Sequence, residues 1–528
     1  MPGAGTILQQ VQPVMPPVPS STGTGLRIEQ QGGAKPLTSA PFEVKTIQIS
    51  GNALFDTATL HALVADGEGK SLTLAQLDEL AARVTEYYRK HGYPLARAYI
   101  PAQTVQSGVV RMEIIEARYG TIRLDNHSRV NDPLLHDTLA LLQSGQAIGQ
   151  AGLDRTLLLL SDIPGVAVSA TLKPGEAVGT SDLLVEAAPA QAVTGNVTID
   201  DYGNRYTGRS RAGGTVNFID PLKHGDILSA SVLSSGSEMD YGSVSYDTLL
   251  NGQGTRVGSS YSLLHYALGD TLASLDAHGT AQVESLWAKQ RILRGRDINL
   301  YGQIEYDSKQ LQDHIDASGL QTDRHLANWT VILAGDSRDA LLSSATNTGN
   351  VSWTSGRVGF DNAAAQLADV ATAKTQGGFS KWNANLTRLQ NLSQRSGVYL
   401  GFSGQWASAN LDSSEKMIAG GPYTVRAYDM GAISGDTGYL GTVEFRYDLV
   451  AQWQAVAFID SAHVTVNKNT WVAGTNSATL SGAGVGINWI GPKQWSTKAY
   501  IATPIGSIPT LLGKTNSARA WVEIDQGF

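Results

Sequence analysis

Residues 193–528 alternate between apolar and polar side chains in segments of about ten residues, separated by turns of Gly, Asn, Asp and Pro. The segment from Tyr439 to Leu449 shows the pattern most clearly. One face carries Tyr439, Gly441, Val443, Phe445, Tyr447 and Leu449, and the other carries Leu440, Thr442, Glu444, Arg446 and Asp448. A strand with one apolar and one charged face is typical of a membrane-spanning β-barrel, which has lipid outside and water inside.

The number of these segments also favours a barrel. We count about sixteen, and bacterial membrane barrels contain an even number of antiparallel strands. A soluble β-sandwich or β-propeller is the alternative for a chain of many short strands. The charged faces, the aliphatic and aromatic faces opposite them, and the terminal Phe528 favour the membrane barrel. The sequence therefore predicts a transmembrane β-barrel over residues 191–528.

The composition excludes several other classes of protein. The chain of 528 residues contains no cysteine, so it has no disulfide framework, thiolate metal site or thiol nucleophile. No window approaches about 18 uninterrupted apolar residues, which excludes a helical membrane bundle. The formal net charge of -8 argues against nucleic acid as a partner, because such binding relies on concentrated positive charge. The ten histidines are scattered, and we expect no metal and no cofactor.

The first 41 residues contain two kinds of segment. Residues 1–12 include GAGTILQQVQ, a short helical pattern with Ile7, Leu8 and Val11 on its apolar side. A helix of this length is marginal by itself, so it must be held by another part of the molecule. Residues 13–41 are rich in Pro, Gly, Ser and Thr and are predicted to form an extended linker. Composition alone also allows a disordered tail.

The next 149 residues are predicted to form two small α+β units in tandem. The first, residues 42–118, is predicted to contain strands over 42–49, 95–100 and 109–115 and helices over 57–64 and 74–90. The second, residues 119–190, is predicted to contain strands over 121–124, 166–172 and 182–187 and helices over 133–143 and 152–161. Thr73 and Gln76 form a capping box in front of an apolar stripe at helical spacing.

A polar, Gly-rich loop over residues 410–438 precedes the segment that begins at Tyr439. It contains one arginine, Arg426, between an aliphatic Val425 and an aromatic Tyr428. Because the following strand has its charged face towards the lumen, we expect this loop to carry Arg426 into the lumen.

These features resemble a known family, the two-partner secretion (type Vb) transporters of the outer membrane, or TpsB family. That family includes exporters of haemolysins, adhesins and contact-dependent-inhibition (CdiB-like) proteins. YYRKHGYPLARAYIPAQTVQSGVVRMEIIEARYG, residues 87–120, is similar to the family's first POTRA domain. NFIDPLKHGDIL, residues 217–228, is similar to its early barrel hairpin, and GAGTILQQVQ is similar to its plug helix. The resemblance covers essentially the whole chain.

Two short motifs of the family carry site residues. Its loop-6 tetrad, Val-Arg-Gly-Tyr, corresponds to Val425, Arg426, Ala427 and Tyr428, and its partner motif, Phe-x-Asp, corresponds to Phe458 and Asp460. We expect Arg426 and Asp460 to form a charge-assisted pair that fixes the loop to the barrel wall; the alternative is an arginine that is merely solvated. Ala427 replaces the usual glycine. Alanine disfavours positive φ, so the backbone there is either ordinary or strained.

The resemblance implies a location and a function. It implies a plug helix (1–12), a linker (13–41), two periplasmic POTRA domains (42–118 and 119–190), and an outer-membrane barrel with lumenal loop 6 (410–438). The barrel would be monomeric in outer-membrane lipid, with a secreted TpsA-type exoprotein as its partner. The POTRA domains would recognise the N-terminal secretion domain of that exoprotein, and the barrel would export it unfolded without ATP.

Other functions fit the residues less well. An outer-membrane assembly factor of the same superfamily is the alternative, but two POTRA units and a plug helix favour secretion. A simple porin is disfavoured by the large periplasmic portion. Asp460 points away from Ser461 and His463 on a strand, so these residues form no catalytic triad, and we expect no enzyme. The opening MPGAG lacks the basic and apolar regions of an export signal, so we expect a mature or re-engineered N-terminus.

Overall fold

The structure is a computed structural model that describes residues 1–12, 19–29, 39–513 and 516–528. The described residues divide into two compact units. The smaller unit contains Ser21–Ala190 and Asn251–Gln253, and the larger contains Met1–Ser20, Gln191–Leu250 and Gly254–Phe528. Most of the predicted linker, residues 13–18 and 30–38, lies outside the described residues. In the described ranges we find no helix that is both long and apolar enough to cross a membrane.

The first α+β repeat follows two short elements, α1 (Ala4–Val11) of the larger unit and β1 (Leu26–Ile28) of the smaller one. The repeat contains β2 (Phe42–Val44), β3 (Thr46–Ser50), α2 (Thr57–Ala62), β4 (Lys70–Leu72), α3 (Leu74–Lys90), β5 (Arg97–Tyr99) and β6 (Val109–Ile115). Helix α3 has the predicted bounds, and the predicted capping box between Thr73 and Gln76 is present. Its apolar stripe packs into the core below a sheet of order β3-β6-β5.

One predicted strand in this repeat is wrong. The sequence predicts a single alternating strand over 42–49, but the chain breaks at Lys45 between β2 and β3. Strand β2 pairs with β4, whereas β3 pairs with β6. Strict alternation would place Val44 and Ile47 on opposite faces, yet both are buried in the same core because the break reorients the chain.

The second repeat uses a strand that the sequence did not predict. It contains β7 (Arg118–Asn126), α4 (Asp132–Leu139), α5 (Gln150–Ser161), β8 (Val166–Pro174) and β9 (Thr180–Pro189), and its sheet has the order β1-β8-β9-β7. Strand β1 lies within the predicted linker and pairs in parallel with β8, Leu26 opposite Ala170. Its partner is more than a hundred residues away, so local composition could not reveal the pairing.

A buried carboxylate stabilises the first repeat. The backbone N–H groups of Ala53 and Leu54 and the hydroxyl of Tyr88 all donate to Glu116 Oε1, each at 2.8 Å. Glu116 is 6% exposed. Burial and the bond to Glu116 raise the pKa of the Tyr88 phenol above its ordinary value. Glu116 therefore joins the end of β6 to helix α3 and to the turn before α2.

Replacing Glu116 with alanine is expected to lower the free energy of unfolding of the smaller unit by about 3 kcal/mol, because buried donors lose their acceptor. Glu113→Ala is the matched control: Glu113 lies on β6, three residues before Glu116, is exposed and accepts a hydrogen bond from the Tyr99 hydroxyl (2.7 Å). Thermal unfolding of the full chain in detergent micelles, followed by its helical circular-dichroism signal, measures both variants. Equal destabilisation by the two substitutions would contradict the role of Glu116.

The strands of the larger unit form a barrel. The first eleven are β10 (Val193–Asp200), β11 (Arg211–Ile219), β12 (Ile227–Ser234), β13 (Met239–Leu249), β14 (Arg256–Ala267), β15 (Ala277–Arg294), β16 (Ile298–Ile315), β17 (Leu320–Asp339), β18 (Ala345–Phe360), β19 (Gly377–Asn391) and β20 (Ser396–Ala407). A hairpin of β21 (Met417–Ala419) and β22 (Ile433–Gly435) follows, and the barrel continues with β23 (Thr437–Val450), β24 (Trp453–Thr465), β25 (Ser477–Ile490), β26 (Trp495–Pro504) and β27 (Arg519–Gly527).

Among the described residues, sixteen strands close this barrel, each antiparallel to its neighbours. Strand β27 returns to β10, with Asp525 opposite Thr198. A short helix, α6 (Ala363–Ala371), lies between β18 and β19. The predicted fold class and strand number are therefore confirmed.

The two faces of the barrel strands have the predicted polarity. On β23 the side chains of Tyr439, Val443 and Phe445 are exposed on the outer surface, whereas Leu440 and Glu444 are buried inside. The same alternation continues around the wall. The outer surface is therefore apolar and suited to lipid, and the lumen carries the charged groups.

Candidate functional site

Helix α1 lies inside the barrel. Ile7 and Leu8 are 1% and 3% exposed and pack in a cluster that includes Leu264 and Leu326 of the barrel wall; Val11 is partly buried against this cluster. At the start of the helix the Ala4 N–H donates to Asp313 Oδ1 at 2.7 Å. A carboxylate at this position also interacts favourably with the positive end of the helix dipole. The predicted apolar side of the helix is thus the side that the lumen buries.

The chain between β20 and β23, residues 408–436, folds inward; this is loop 6, which begins and ends two residues before the predicted bounds of 410–438. Strands β21 and β22 pair within it, Met417 opposite Gly435, although the sequence predicted only an irregular loop. Val425, Ala427 and Tyr428 are buried with residues of β24 and β25 in one apolar cluster. Loop 6 is therefore a packed part of the lumen.

Arg426 is the centre of an ion-pair group on the barrel wall. Its Nε and Nη2 donate to Asp460 Oδ2 and Oδ1 at 2.8 and 2.7 Å, and its backbone N–H donates to Oδ2 at 3.1 Å. Its Nη1 donates to Glu444 Oε1 at 2.7 Å. Arg426 is 4% exposed and Asp460 is fully buried. This bidentate geometry is the strongest form of an arginine–carboxylate bond.

Aromatic side chains complete the surroundings of Arg426. Its guanidinium carbon lies 3.4 Å from the ring centre of Phe458, a cation–π contact in a desolvated site. The Trp521 indole N–H donates to the Arg426 carbonyl at 2.7 Å. The predicted motif residues Phe458 and Asp460 thus hold the side chain of Arg426, and a residue of the last strand holds its backbone.

Ala427 is accommodated by a glycine on the wall. Its φ is not positive, so the backbone there is ordinary. A Cβ placed on Gly482 of β25 would lie 2.3 Å from the Ala427 Cβ. The extra methyl group of Ala427 therefore occupies space that Gly482 leaves open. The Tyr428 hydroxyl, next in the motif, donates to the Ser481 carbonyl at 3.4 Å.

A second group of ion pairs holds the start of loop 6. Glu415 Oε1 accepts from Lys309 at 2.7 Å, and its Oε2 lies 2.8 Å from Lys381 Nζ. Arg324 Nε donates to Asp412 Oδ2 at 2.5 Å, and Arg324 Nη1 donates to Asp313 Oδ2 at 2.7 Å. Asp313 is the acceptor of the helix α1 N–H, so Arg324 connects loop 6 to that helix.

The sequence did not single out several of these residues. Glu444 could have been found, because the alternation of β23 places it on the lumenal face. Trp521 and Gly482 lie on β27 and β25, and neither has a local signal that connects it to Arg426 or Ala427. Their roles depend on which strands the barrel brings together.

The first α+β repeat offers a different kind of site. Strand β5 pairs with β6 on one side, and no described strand pairs with its other side. A groove of 1460 Å³ lies between β5 and α3. Leu77, Ala81 and Pro94 line it with apolar surface, and Asp78 and Arg89 add charge. An open strand edge beside an apolar groove is suited to binding an extended polypeptide.

The inward loop, the lumenal helix and the α+β repeats together define a membrane-spanning transporter of the POTRA-plus-barrel class. The family model for haemolysin secretion/activation protein ShlB/FhaC/HecB matches residues 179–489, and the model for a ShlB-type POTRA domain matches residues 42–117. The chain belongs to this family of haemolysin secretion/activation proteins. It is therefore an outer-membrane transporter, as the sequence predicted.

Similar proteins cover most of the chain. The heme/hemopexin transporter protein HuxB of Haemophilus influenzae strain 86-028NP is 28% identical over 448 residues, covering 83% of this chain and 79% of HuxB. The outer membrane transporter CdiB of Escherichia coli is 24% identical over 469 residues, covering 85% and 76%. The structure of CdiB from Escherichia coli aligns with a TM-score of 0.73 and 21% identity, covering 95% of this chain and 92% of that one. That structure has the same fold.

Proposed function

We propose that the chain recognises the N-terminal secretion domain of a partner exoprotein through its POTRA domains and exports it unfolded, without ATP. The observation that carries this proposal is the position of helix α1. It lies inside the lumen, where its apolar side packs against the wall and polar contacts such as Ala4 to Asp313 and Gln12 to Tyr241 (2.6 Å) hold its ends. Because a helix of 8 residues is marginal by itself and all these contacts are non-covalent, the helix can leave and make room for another polypeptide.

The lumen has little free space while helix α1 is in place. A cavity of 440 Å³ lies between the helix and loop 6, so passage of a client requires the helix to leave. The energy for net movement would come from folding of the exoprotein outside the cell.

The open edge of β5 supports recognition by strand addition. A client strand that pairs with this edge would gain backbone hydrogen bonds, and its apolar side chains would enter the groove beside α3. The second repeat already has a strand added to its sheet, because β1 pairs with β8. Strand addition to an α+β repeat thus already occurs within this chain.

A catalytic role has no support from the barrel wall. Asp460 is buried inside the lumen, whereas Ser461 and His463 lie on the outer face, where they contact Ser481 and Thr479. We propose a monomeric barrel in outer-membrane lipid that acts without catalysis, metal or cofactor. The apolar outer surface of strands such as β23 is the surface that lipid would cover.

Filling the POTRA groove tests this function. Ala82 is exposed on α3 and lines the groove, so Ala82→Trp adds bulk there without entering the core. We expect this variant to bind the secretion domain about tenfold more weakly and to secrete correspondingly less exoprotein, since a strand can no longer lie beside β5. Binding of the secretion domain to the purified chain and secretion from cells are the two measurements.

Glu79→Trp is the control, because Glu79 is exposed on the same helix and does not line the groove. It should bind and secrete as the unchanged chain does. Equal effects of the two tryptophans would show that the groove is not the recognition site. A client that accumulates in the outer membrane, with none released outside the cell, would instead support an assembly factor.

A further inference from the structure

A second contact between the N-terminal segment and the barrel lies at the end of the barrel where β10 begins. There the Ser20 N–H donates to Asp336 Oδ1 at 3.0 Å, and the Ser20 hydroxyl donates to the same oxygen at 2.7 Å. Arg338 Nη2 donates to the Ser20 carbonyl at 2.6 Å. One acidic and one basic side chain of β17 thus hold both main-chain groups of a single residue.

The barrel itself positions these two side chains. Asn299 Nδ2 donates to Asp336 Oδ2 at 2.9 Å, and Arg338 Nη1 donates to the Arg296 carbonyl at 3.0 Å and to Asp336 Oδ2 at 3.4 Å. Asp336 is buried. Because these contacts come from β16 and the turn before it, the pair keeps its geometry without Ser20.

The contacts with Ser20 would fit many residues. Every residue except proline has an N–H for Asp336 and a carbonyl for Arg338. The serine hydroxyl adds one more bond, which threonine could also make. The pair has no net charge, so it would accept acidic and basic segments equally. These are the properties of a site that binds extended polypeptide without reading most of its sequence.

Ser20 and the lumenal helix belong to one N-terminal segment, and both are held by main-chain contacts on the neighbouring strands β16 and β17. Asp313 on β16 binds the Ala4 N–H, and it lies opposite Thr322 of β17. From Thr322 to Asp336 the wall extends about 45 Å, at about 3.3 Å for each residue. Main-chain binding groups therefore occur at both ends of this wall.

We propose that Asp336 and Arg338 bind the main chain of the exported polypeptide at the periplasmic end of the barrel, in place of Ser20. This inference rests on the proposed export function. When helix α1 leaves the lumen, Ser20 leaves with it, and the client then occupies the pair. Each client residue binds briefly as it passes, with a preference for serine and threonine.

A cysteine next to the pair tests the proposal, because the chain has no cysteine of its own. Thr348 lies opposite Asp336 on β18, and Thr348→Cys can form a disulfide with a cysteine in the client. The first probe is an exoprotein with single cysteines, stalled in the barrel by a folded C-terminal domain. The second is a twenty-residue Gly-Ser peptide with one terminal cysteine, added at millimolar concentration to the purified full chain to compete with the tethered Ser20.

Arg338→Ala should lower the disulfide yield with both probes about tenfold, because it removes a charge-assisted hydrogen bond. Arg388→Ala is the control: Arg388 is an arginine of β19 at the same end of the barrel, and it pairs with Asp339 (2.8 Å) on the outer face, the face that carries the exposed Leu386. It should leave the yield unchanged. A Gly-Ala peptide should give a lower yield than the Gly-Ser peptide.

Equal yields in Arg338→Ala and Arg388→Ala would overturn the proposal. A higher yield in Arg338→Ala would also overturn it, because the pair would then only restrain Ser20. The peptide measurement does not depend on export. A peptide disulfide that requires Arg338, combined with no secretion by the unchanged chain, would therefore reject the export function and keep the binding site.

Discussion

Arg426→Ala is expected to abolish secretion of the exoprotein while the barrel still assembles. The substitution leaves the buried Asp460 without its cation, whereas Glu444 keeps its bonds to Arg446. Removing one partner of a buried ion pair costs about 3–5 kcal/mol. That cost weakens the attachment of loop 6. The wall stays folded, because its strand pairing does not involve Arg426. Loop 6 should therefore leave the wall, and transport should stop.

Two measurements distinguish release of loop 6 from loss of the folded barrel. Heat-modifiable mobility in gel electrophoresis reports the folded barrel, and secretion from cells reports transport. Arg446→Ala is the matched control, because Arg446 Nη2 also bonds to Glu444 (2.7 Å) but is more exposed and belongs to β23 itself. We expect it to secrete normally. Asp460→Ala should behave as Arg426→Ala does; a folded Asp460→Ala barrel that secretes normally would assign the ion pair a structural role alone.

Gly5→Leu is expected to release helix α1 from the lumen. A Cβ on Gly5 would lie 2.6 Å from both Ser413 Oγ and the backbone nitrogen of Ser414, so the helix has no room for a side chain there. Overpacking of this kind costs about 1–3 kcal/mol for small additions, and the backbone of loop 6 cannot give way easily. We expect the open fraction of the barrel to rise at least about tenfold, seen as larger ionic conductance in planar bilayers.

The smaller substitution Gly5→Ala distinguishes two effects on the conductance, helix propensity and steric contact. Helix propensity favours alanine over glycine by about 1 kcal/mol, so propensity alone predicts that Gly5→Ala closes the barrel further. The steric contact with Ser414 predicts the opposite, a more open barrel. Thr6→Ala is the control, since it raises helix propensity on the same helix without adding volume. A Gly5→Ala barrel that is less conductive than the unchanged one would contradict the packing of α1 against loop 6.

Some features were predictable because they depend on neighbours in sequence. The capping box at Thr73 and the bounds of α3 follow from local hydrogen bonding and helical spacing. The orientation of Glu444 into the lumen follows from alternation along β23, since successive side chains of a strand point to opposite faces. The ion pair of Arg426 with Asp460 was expected from the family motifs, and the structure shows its geometry.

Other features depend on distant parts of the chain. No local pattern indicates that β1 joins the sheet of β8, or that the strand predicted over 42–49 breaks at Lys45. The bond from Trp521 to the Arg426 carbonyl joins residues 95 positions apart. It forms because loop 6 folds inward to the wall near β27. No local pattern contains that information.

Local patterns in the sequence predict the barrel, its inner and outer faces and the helices of the α+β repeats, because periodicity, capping and turn residues act over a few positions. How the lumen is filled follows from the tertiary structure alone. Gly482 makes space for Ala427, Arg324 connects Asp412 to Asp313, and Asp336 with Arg338 holds Ser20. Each of these contacts joins segments that are far apart in the chain and that meet only when the barrel closes around its own N-terminus and loop 6.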